Sequence, residues 1–237
     1  MASLIFWNCR GAKKKEPSLY LNEIVKDYKG CFIGLVETRI SIFDILEVDK
    51  VIGREWDFFH HPDEGNSSGI IILWNRNNVS FEFMDHSSQI VIGMLKSPLF
   101  GSWMVGTVYA NKDYRIRRSL WEMLEKSTKE DIPSIVGGDF NCLLSNDDKR
   151  GGKRFLFSKG PQEMKLFMTN NDFHDVCTIG PKYTWCNNKD GNMRIWERLD
   201  RCLLNASALK KVPLARVRHL AMIASDHCLI AFKMLEA

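Results

Sequence analysis

The stretch IPSIVGGDFN, Ile132 to Asn141, is the point on which the fold turns. Ser134-Ile135-Val136 has the makings of a buried strand, and it runs out in two glycines followed by Asp139, Phe140 and Asn141. Paired glycines at a strand end mark a place where another backbone or a ligand comes close. The two-residue strand period would turn Asp139 and Asn141 to the same side. Taken alone, this is a strand ending in a polar turn. Taken with similar ends elsewhere, it is a strand tip that delivers a carboxylate and an amide to a reactive site.

Similar ends recur outward from this stretch. Short runs rich in β-branched and aromatic residues read as strands: SLIFWN, CFIGLVE, GIIILW, QIVIGMLK, WMVGTVYA, KYTWC, ERLDRCLL and HCLIAFKM. The first ends on Asn8, the second on Glu37, and the fifth reaches Tyr109; Asp200 lies inside ERLDRCLL, and Asp226-His227 opens the last. Each has an ordinary explanation: an Asn caps a turn, a Glu is a surface charge, an Asp pairs with Arg198 or Arg201 beside it. Together they suggest one site, because strand ends in an α/β sheet gather at one edge, where ligands bind. Oxygen donors without a cysteine pattern favour a hard ion, Mg²⁺ or Mn²⁺, over zinc. A hard cation, a carboxylate base and a histidine suit phosphate-ester hydrolysis.

Helical spacing appears in SLYLNEIVKDY, RRSLWEMLEKS and PQEMKLFMTNN. Helices therefore separate some strands while direct hairpins join others. This mixture predicts an α/β fold of two mixed sheets packed face to face with helices outside, rather than a doubly wound parallel sheet. No Pro/Gly/Ser-rich linker interrupts residues 1–237, so one domain is expected. In YTWCNNKDGNMRIWERLD, Asp190-Gly191 predicts a type I′ hairpin turn, its tip carrying Lys189, Asn192 and Arg194.

With 237 residues, 45% hydrophobic and 26% charged, the chain has the composition of an ordinary globular protein. A formal net charge of +4 permits a polyanionic partner without requiring one. Seven scattered cysteines include no CxxC pair, which fits free thiols in a reducing compartment better than disulfides or zinc. No apolar run approaches the roughly 18 residues of a membrane span, and the N-terminus does not look like a signal peptide. The expectation is a soluble intracellular protein with no membrane partner.

The motifs WNCRG, GLVET, VYA, GGDFN, RLDRCLL and SDH, in this order, resemble those of the endonuclease/exonuclease/phosphatase superfamily, from about Leu4 to Phe232. That superfamily includes DNase I, exonuclease III-type abasic endonucleases and inositol polyphosphate phosphatases. VETRI, GDFNCLLSNDDKRGG, YTWCNN with IWERLDRCLLN, and SDHCLI most resemble the endonuclease domain of plant LINE-type non-LTR retrotransposons, which precedes a reverse transcriptase in a polyprotein. The resemblance implies a DNase I-like four-layer α/β sandwich and Mg²⁺-dependent nicking of DNA, with Mn²⁺ as a possible substitute. The nick would leave a 3′-hydroxyl that primes reverse transcription, which implies action in the nucleus. By motif, Glu37 would be the main metal ligand, with Asn8 in support and Asp226 as a second metal-side carboxylate. Asp139 would activate water, Asn141 would orient it or the phosphate, and His227, held by Asp200, would bind a phosphate oxygen. Tyr109 would touch the phosphate or leaving group, although Asn111 stands where the family often has proline.

Basic stretches that could grip DNA are Lys13, Lys14 and Lys15; Arg115, Arg117 and Arg118; and DKRGGKR, with Lys149, Arg150, Lys153 and Arg154. Such contacts position DNA without reading its sequence. The Asp190-Gly191 hairpin is the candidate for specificity. Rival functions on the same core are an abasic-site endonuclease, an RNA deadenylase, and an inositol-phosphate or lipid phosphatase. A rival of another class is a non-catalytic nucleic-acid-binding module, which would bind DNA in a salt-sensitive way without turnover.

Overall fold

The central strands of both large sheets are buried on both faces, which explains why their sequences are nearly continuous apolar runs rather than alternating ones. The computed structural model describes residues 2–12, 15–40, 45–62 and 69–234. The first half holds β1 (Ser3–Asn8), α1 (Lys15–Tyr28), β2 (Gly30–Val36), α2 (Ile45–Val51), β3 (Trp56–His61), β4 (Ile70–Asn75), β5 (Ser80–Ser87), β6 (Ile90–Ser97) and β7 (Gly101–Tyr109). There follow α3 (Tyr114–Ser127), β8 (Ser134–Asp139), β9 (Lys149–Arg150), α4 (Lys159–Asn170), β10 (Phe173–Asp175) and β11 (Cys177–Ile179). The chain continues through β12 (Trp185–Cys186), β13 (Trp196–Glu197), β14 (Asp200–Asn205), α5 (Ala206–Lys211), β15 (Arg216–His219) and β16 (Ile230–Lys233).

One sheet has the order β11-β15-β16-β1-β2-β4-β3 and a second β10-β14-β8-β7-β6-β5; a small third sheet is β12-β13-β9. At the heart of each large sheet is a parallel pair joined by a helix, β1-α1-β2 in the first and β7-α3-β8 in the second. Parallel neighbours need such a crossover. Leu4, Phe6, Phe32, Ile72, Val105 and Ile135 fill the space between the sheets. Their strand neighbours Ile5, Trp7, Ile33 and Leu35 face the other way, with Leu21 and Ile24 of α1. Met104, Val108 and Val136 pack with Leu120 and Leu124 of α3 and with Met164 and Phe167 of α4. The layers are therefore helix, sheet, sheet, helix.

The two glycines of GGD have separate tasks. A Cβ on Gly137 would lie 2.4 Å from the Phe6 ring, so this residue lets the second sheet close on the first. Gly138 has φ +135°, and a Cβ there would fall 2.2 Å from the Val108 carbonyl oxygen. Only glycine meets both conditions.

Three sequence expectations differ from the structure. β3, β5, β9, β10, β11 and β15 were not legible as strands. β3 and β5 are sheet edges with mixed polar faces, joined across the sheets by Phe59 stacked on Phe83 at 4.5 Å. Asp190-Gly191 is not a type I′ turn: Asp190 has φ −92° and precedes a 3₁₀ turn over Gly191–Met193. ERLDRCLL is not one strand. Its first part, β13, belongs to the small sheet, and its second, β14, begins at Asp200 in the second large sheet. No described helix is long and apolar enough to cross a membrane.

Candidate active site

Because β1/β2 and β7/β8 are parallel pairs, their C-terminal ends share an edge. Asn8 ends β1, Glu37 follows β2, Tyr109 ends β7 and Asp139 ends β8. Asp139 pairs with Tyr109 on one side and with Asp200, the first residue of antiparallel β14, on the other. Tyr109, Asp139 and Asp200 thus form one row across the second sheet.

His227 closes the gap between the sheets. Its Nδ1 lies 3.0 Å from Asp200 Oδ2 and its Nε2 3.8 Å from Asp139 Oδ2. Asn8 Nδ2 donates to Asp139 Oδ2 at 3.0 Å and lies 3.4 Å from His227 Nε2. The backbone under His227 is also fixed. Ser225 Oγ donates to the Asn8 carbonyl at 2.8 Å and accepts from His227 N at 3.2 Å. Burial pulls the His227 pKa down, but Asp200, Asp139 and the hydrogen bond to Asp200 outweigh it and push the imidazole up to about 9. Burial, with Asp200 adding to it, raises Asp139 to about 6 against the opposing pull of His227. At neutral pH the pair is an imidazolium beside a carboxylate poised to accept a proton.

Asp200 is free for this task because its neighbours pair elsewhere. Arg201 donates to Asp175 at 2.5 Å and to Asp148 at 2.7 Å, and Arg198 donates to Asp175 at 2.8 Å. Buried Thr184 Oγ1 accepts from Leu199 N at 2.9 Å and Asp200 N at 3.0 Å, pinning the start of β14. Thr184 lies in the YTW motif, but the sequence alone suggested no role for it.

Asn141 reaches the site by a turn, not by strand alternation, since β8 stops at Asp139. Its N–H donates to Asp139 Oδ1 at 2.9 Å, and its Nδ2 donates to the Ala110 carbonyl at 2.9 Å. Arg117, expected among the DNA-gripping cations, is buried beneath this turn and donates to the carbonyls of Phe140 and Asn141. Asn141, Glu37 and Arg10 all have left-handed φ, at 44°, 52° and 46°. Non-glycine residues held this way carry strain of about 1–3 kcal/mol each, and such strain collects at functional sites.

On the Glu37 side, Tyr109 donates its hydroxyl to Glu37 Oε1 at 2.5 Å. Arg10, in the WNCRG motif but given no role from sequence, bridges Glu37 Oε2 at 3.1 Å and Asp226 Oδ2 at 2.5 Å. Trp185 Nε1 also donates to Asp226 Oδ2, at 2.9 Å. Asn8 Oδ1 and Asp226 Oδ1 are buried without a hydrogen-bond partner. Buried acceptors of this kind are ordinarily satisfied. Carboxylate and amide oxygens left open beside Glu37 fit a hard divalent cation. Asp139, Asp200 and His227 also offer ligand atoms within 4.8 Å of one another. That trio suits proton handling better, because a protonated imidazole has no lone pair for a metal.

A cleft of about 510 Å³ opens over this floor, lined by Arg10, Glu37, Asp139, Asn141, Trp185 and His227. Lys112, Lys149, Lys153 and Arg154 line it as well. Lys112 had no sequence signal beyond its charge. Lys149 is held by Glu197 at 2.5 Å. Arg115 is exposed and paired with Asp113, and Arg118 with Glu163, neither lining the cleft. Arg150 lines a second cleft on the other face of the small sheet, with Trp196 and Tyr183. At the hairpin tip Lys189 and Asn192 are exposed, while Arg194 folds back onto the Lys189 carbonyl and Asp190. Lys13 and Lys14 lie outside the described residues.

The family model for the endonuclease/exonuclease/phosphatase family matches residues 5–227. The chain belongs to this family. Its members are nucleases and other phosphoester hydrolases, which agrees with a carboxylate, an imidazolium and open oxygen ligands on one floor. Among curated proteins nothing matches. Solved structures share the family's fold. The endonuclease domain of TRAS1, a telomere-specific non-LTR retrotransposon, is 15% identical with TM-score 0.70 and 98% coverage of both chains. The AP endonuclease LMAP of Leishmania major is 17% identical with TM-score 0.74, covering 98% of this chain and 86% of that one. An AP endonuclease from Archaeoglobus fulgidus is 13% identical with TM-score 0.72, covering 98% and 99%.

Proposed function

We propose that this domain is a Mg²⁺-dependent DNA endonuclease whose nick leaves a 3′-hydroxyl, a primer for a reverse transcriptase. The observation that carries this is the Asp200–His227–Asp139 row, tied to Asn8, at the floor of a cleft with Lys112, Lys153 and Arg154 along it. A long polyanion fits such a cleft, and its backbone phosphates meet the cationic lining.

Glu37 and Asn8 Oδ1 would hold the metal, which when bound supplies positive charge to the scissile phosphate. Asp139 accepts the proton of a water that attacks phosphorus. The P–O3′ bond breaks, and the departing oxygen takes a proton from solvent water to become the 3′-hydroxyl, leaving a 5′-phosphate. His227 donates from Nε2 to a non-bridging oxygen as negative charge grows there, with Nδ1 held by Asp200. Asn141 holds Asp139 through its N–H. Tyr109, whose hydroxyl is engaged with Glu37, positions that carboxylate rather than the leaving group. The tip residues Lys189 and Asn192 would meet the DNA beyond the cleft.

The test is nicking of supercoiled plasmid in Mg²⁺ by the native chain, Asp139→Ala and His227→Ala, with the product offered directly to a DNA polymerase. Native nicking with extendable ends is expected, falling about 10²–10⁴-fold in each variant. A folded native chain that leaves plasmid intact would remove the endonuclease assignment. Exclusive cleavage of an abasic duplex would replace it with repair.

A further inference from the structure

We propose that Arg10 is a resident cation of the active site. Its guanidinium takes the place of a second metal between Glu37 and Asp226, so the site binds one divalent cation per chain. Its Nη2 serves the scissile phosphate. The proposal rests on the metal-dependent phosphodiesterase assignment above.

Glu37 and Asp226 are both largely buried, and a buried carboxylate needs a compensating cation. Two carboxylates aimed at one point are the usual arrangement for bridging a metal ion. Here Nε of Arg10 donates to Glu37 Oε2 at 3.1 Å and Nη1 to Asp226 Oδ2 at 2.5 Å, so one guanidinium spans both. Asp226 Oδ2 also accepts from Trp185 Nε1, which spends both of that oxygen's lone pairs. Glu37 keeps a lone pair on each oxygen, with Arg39 Nη2 a further 3.6 Å from Oε2, and Asn8 Oδ1 and Asp226 Oδ1 are open. One cation can therefore sit against the open oxygens of Glu37, Asn8 and Asp226, while the guanidinium already occupies the gap between Glu37 Oε2 and Asp226 Oδ2.

The bridge is built into the backbone. Cys9 N donates to the Val36 carbonyl at 3.1 Å, Gly11 N to the Glu37 carbonyl at 2.9 Å and Ala12 N to the Thr38 carbonyl at 3.1 Å. This ladder runs Arg10 alongside Glu37 and holds both in left-handed φ. Nη2 has no partner among the described residues, and Arg10 lines the catalytic cleft. A guanidinium keeps its charge at any working pH and binds phosphate oxygens in a fixed plane, so it can do a second metal's electrostatic work.

Mn²⁺ binding to the metal-free chain without DNA, counted by electron paramagnetic resonance and calorimetry, tests this. One ion is expected for the native chain and two for Arg10→Ala, with Asp226→Ala added to Arg10→Ala returning the count to one. Arg10→Ala should also nick about 10²–10³-fold more slowly. Two ions on the native chain would overturn the proposal while leaving metal-dependent nicking intact, and this count needs no variant to fold. A count of one for folded Arg10→Ala would overturn it too. No ion bound and no nicking by the native chain would overturn both this proposal and the endonuclease assignment.

Discussion

His227 is the residue on which both sheets converge, and its charge is a property of the fold. Asp200 at 3.0 Å and Asp139 at 3.8 Å raise it to about 9 from an ordinary 6.5. A raised folded-state pKa means a stabilising contribution that is complete below about 6.5 and is lost as pH rises through about 9. Asp139, raised from 3.8 to about 6, acts in the same direction: its contribution is complete below about 3.8 and lost through about 6. The metal-free chain should therefore lose stability to urea between pH 7 and 10. In Asp200→Asn the imidazole loses its main charged partner, so its pKa should drop and that loss should shift to lower pH. An NMR titration of the His227 ring in EDTA, beside urea melts, checks this. An unchanged pKa in Asp200→Asn would show that Asp200 does not set the charge. Asp139 and Asn141 were legible in sequence because they are polar where an apolar run stops, and Asp200 and His227 because they stand in the RLDRCLL and SDH motifs. Arg10 and Thr184 were not. An arginine after a cysteine and a threonine between two aromatics carry no local sign of what they touch.

At the scale of elements, the segment after β9 lines the cleft, while the hairpin it packs on has a different turn from the one its sequence predicts. The segment after β9 carries Lys153 and Arg154 along the cleft, as a charge run close to the GDFN motif implied. It is seated on the hairpin through Gly151 and Gly152, whose absent side chains leave room for the Arg194 carbonyl and Ile195. The hairpin differs. Its strands are two residues each, its tip is a 3₁₀ turn, and Arg194 is spent on the tip itself. Asp-Gly favours a type I′ turn only where long arms set the twist, and here Asn187 Oδ1 and Nδ2 organise the loop instead. Among the described residues Lys153 and Arg154 have no acidic partner, so each is expected to neutralise one phosphate. Replacing both with alanine should weaken DNA binding and reduce the slope of log K against log salt by about 0.9 per residue. The rate at saturating plasmid should be spared. Fluorescence anisotropy on a duplex across a salt series measures the slope, and an unchanged value would remove this segment from the DNA interface.

At the scale of the whole molecule, the distance between the sheets sets the site. Asn8 belongs to the first sheet and Asp139 to the second, and the 3.0 Å bond between them requires the sheets to close. Phe6 resting on Gly137, two residues before each partner in its own strand, allows that closure. Gly137→Ala would push a methyl into the Phe6 ring and wedge the sheets apart next to the floor. Overpacking of this kind costs about 1–3 kcal/mol. For a chain of this size that lowers the melting temperature by roughly 2–4 °C per kcal/mol. Nicking should fall by more than the loss of folded protein accounts for. Calorimetry paired with the plasmid assay checks this, and full activity in a destabilised chain would show that the floor tolerates the spacing.

The α/β class, the face-to-face sheets, the family and the polar strand ends followed from the sequence by itself. They depend on local period, on residues that punctuate strands, and on short motifs in a fixed order. Edge strands β3 and β5 escaped because a half-exposed strand has no continuous apolar run. Which partner each charge takes was decided only in the tertiary structure. Arg198 and Arg201 sit beside Asp200 in the chain yet pair with Asp148 and Asp175, while His227, 27 residues on, takes Asp200. Arg10 meets Asp226 across 216 residues. Charge pairing depends on distances of a few ångströms in space, and those distances exist only once the two sheets have packed.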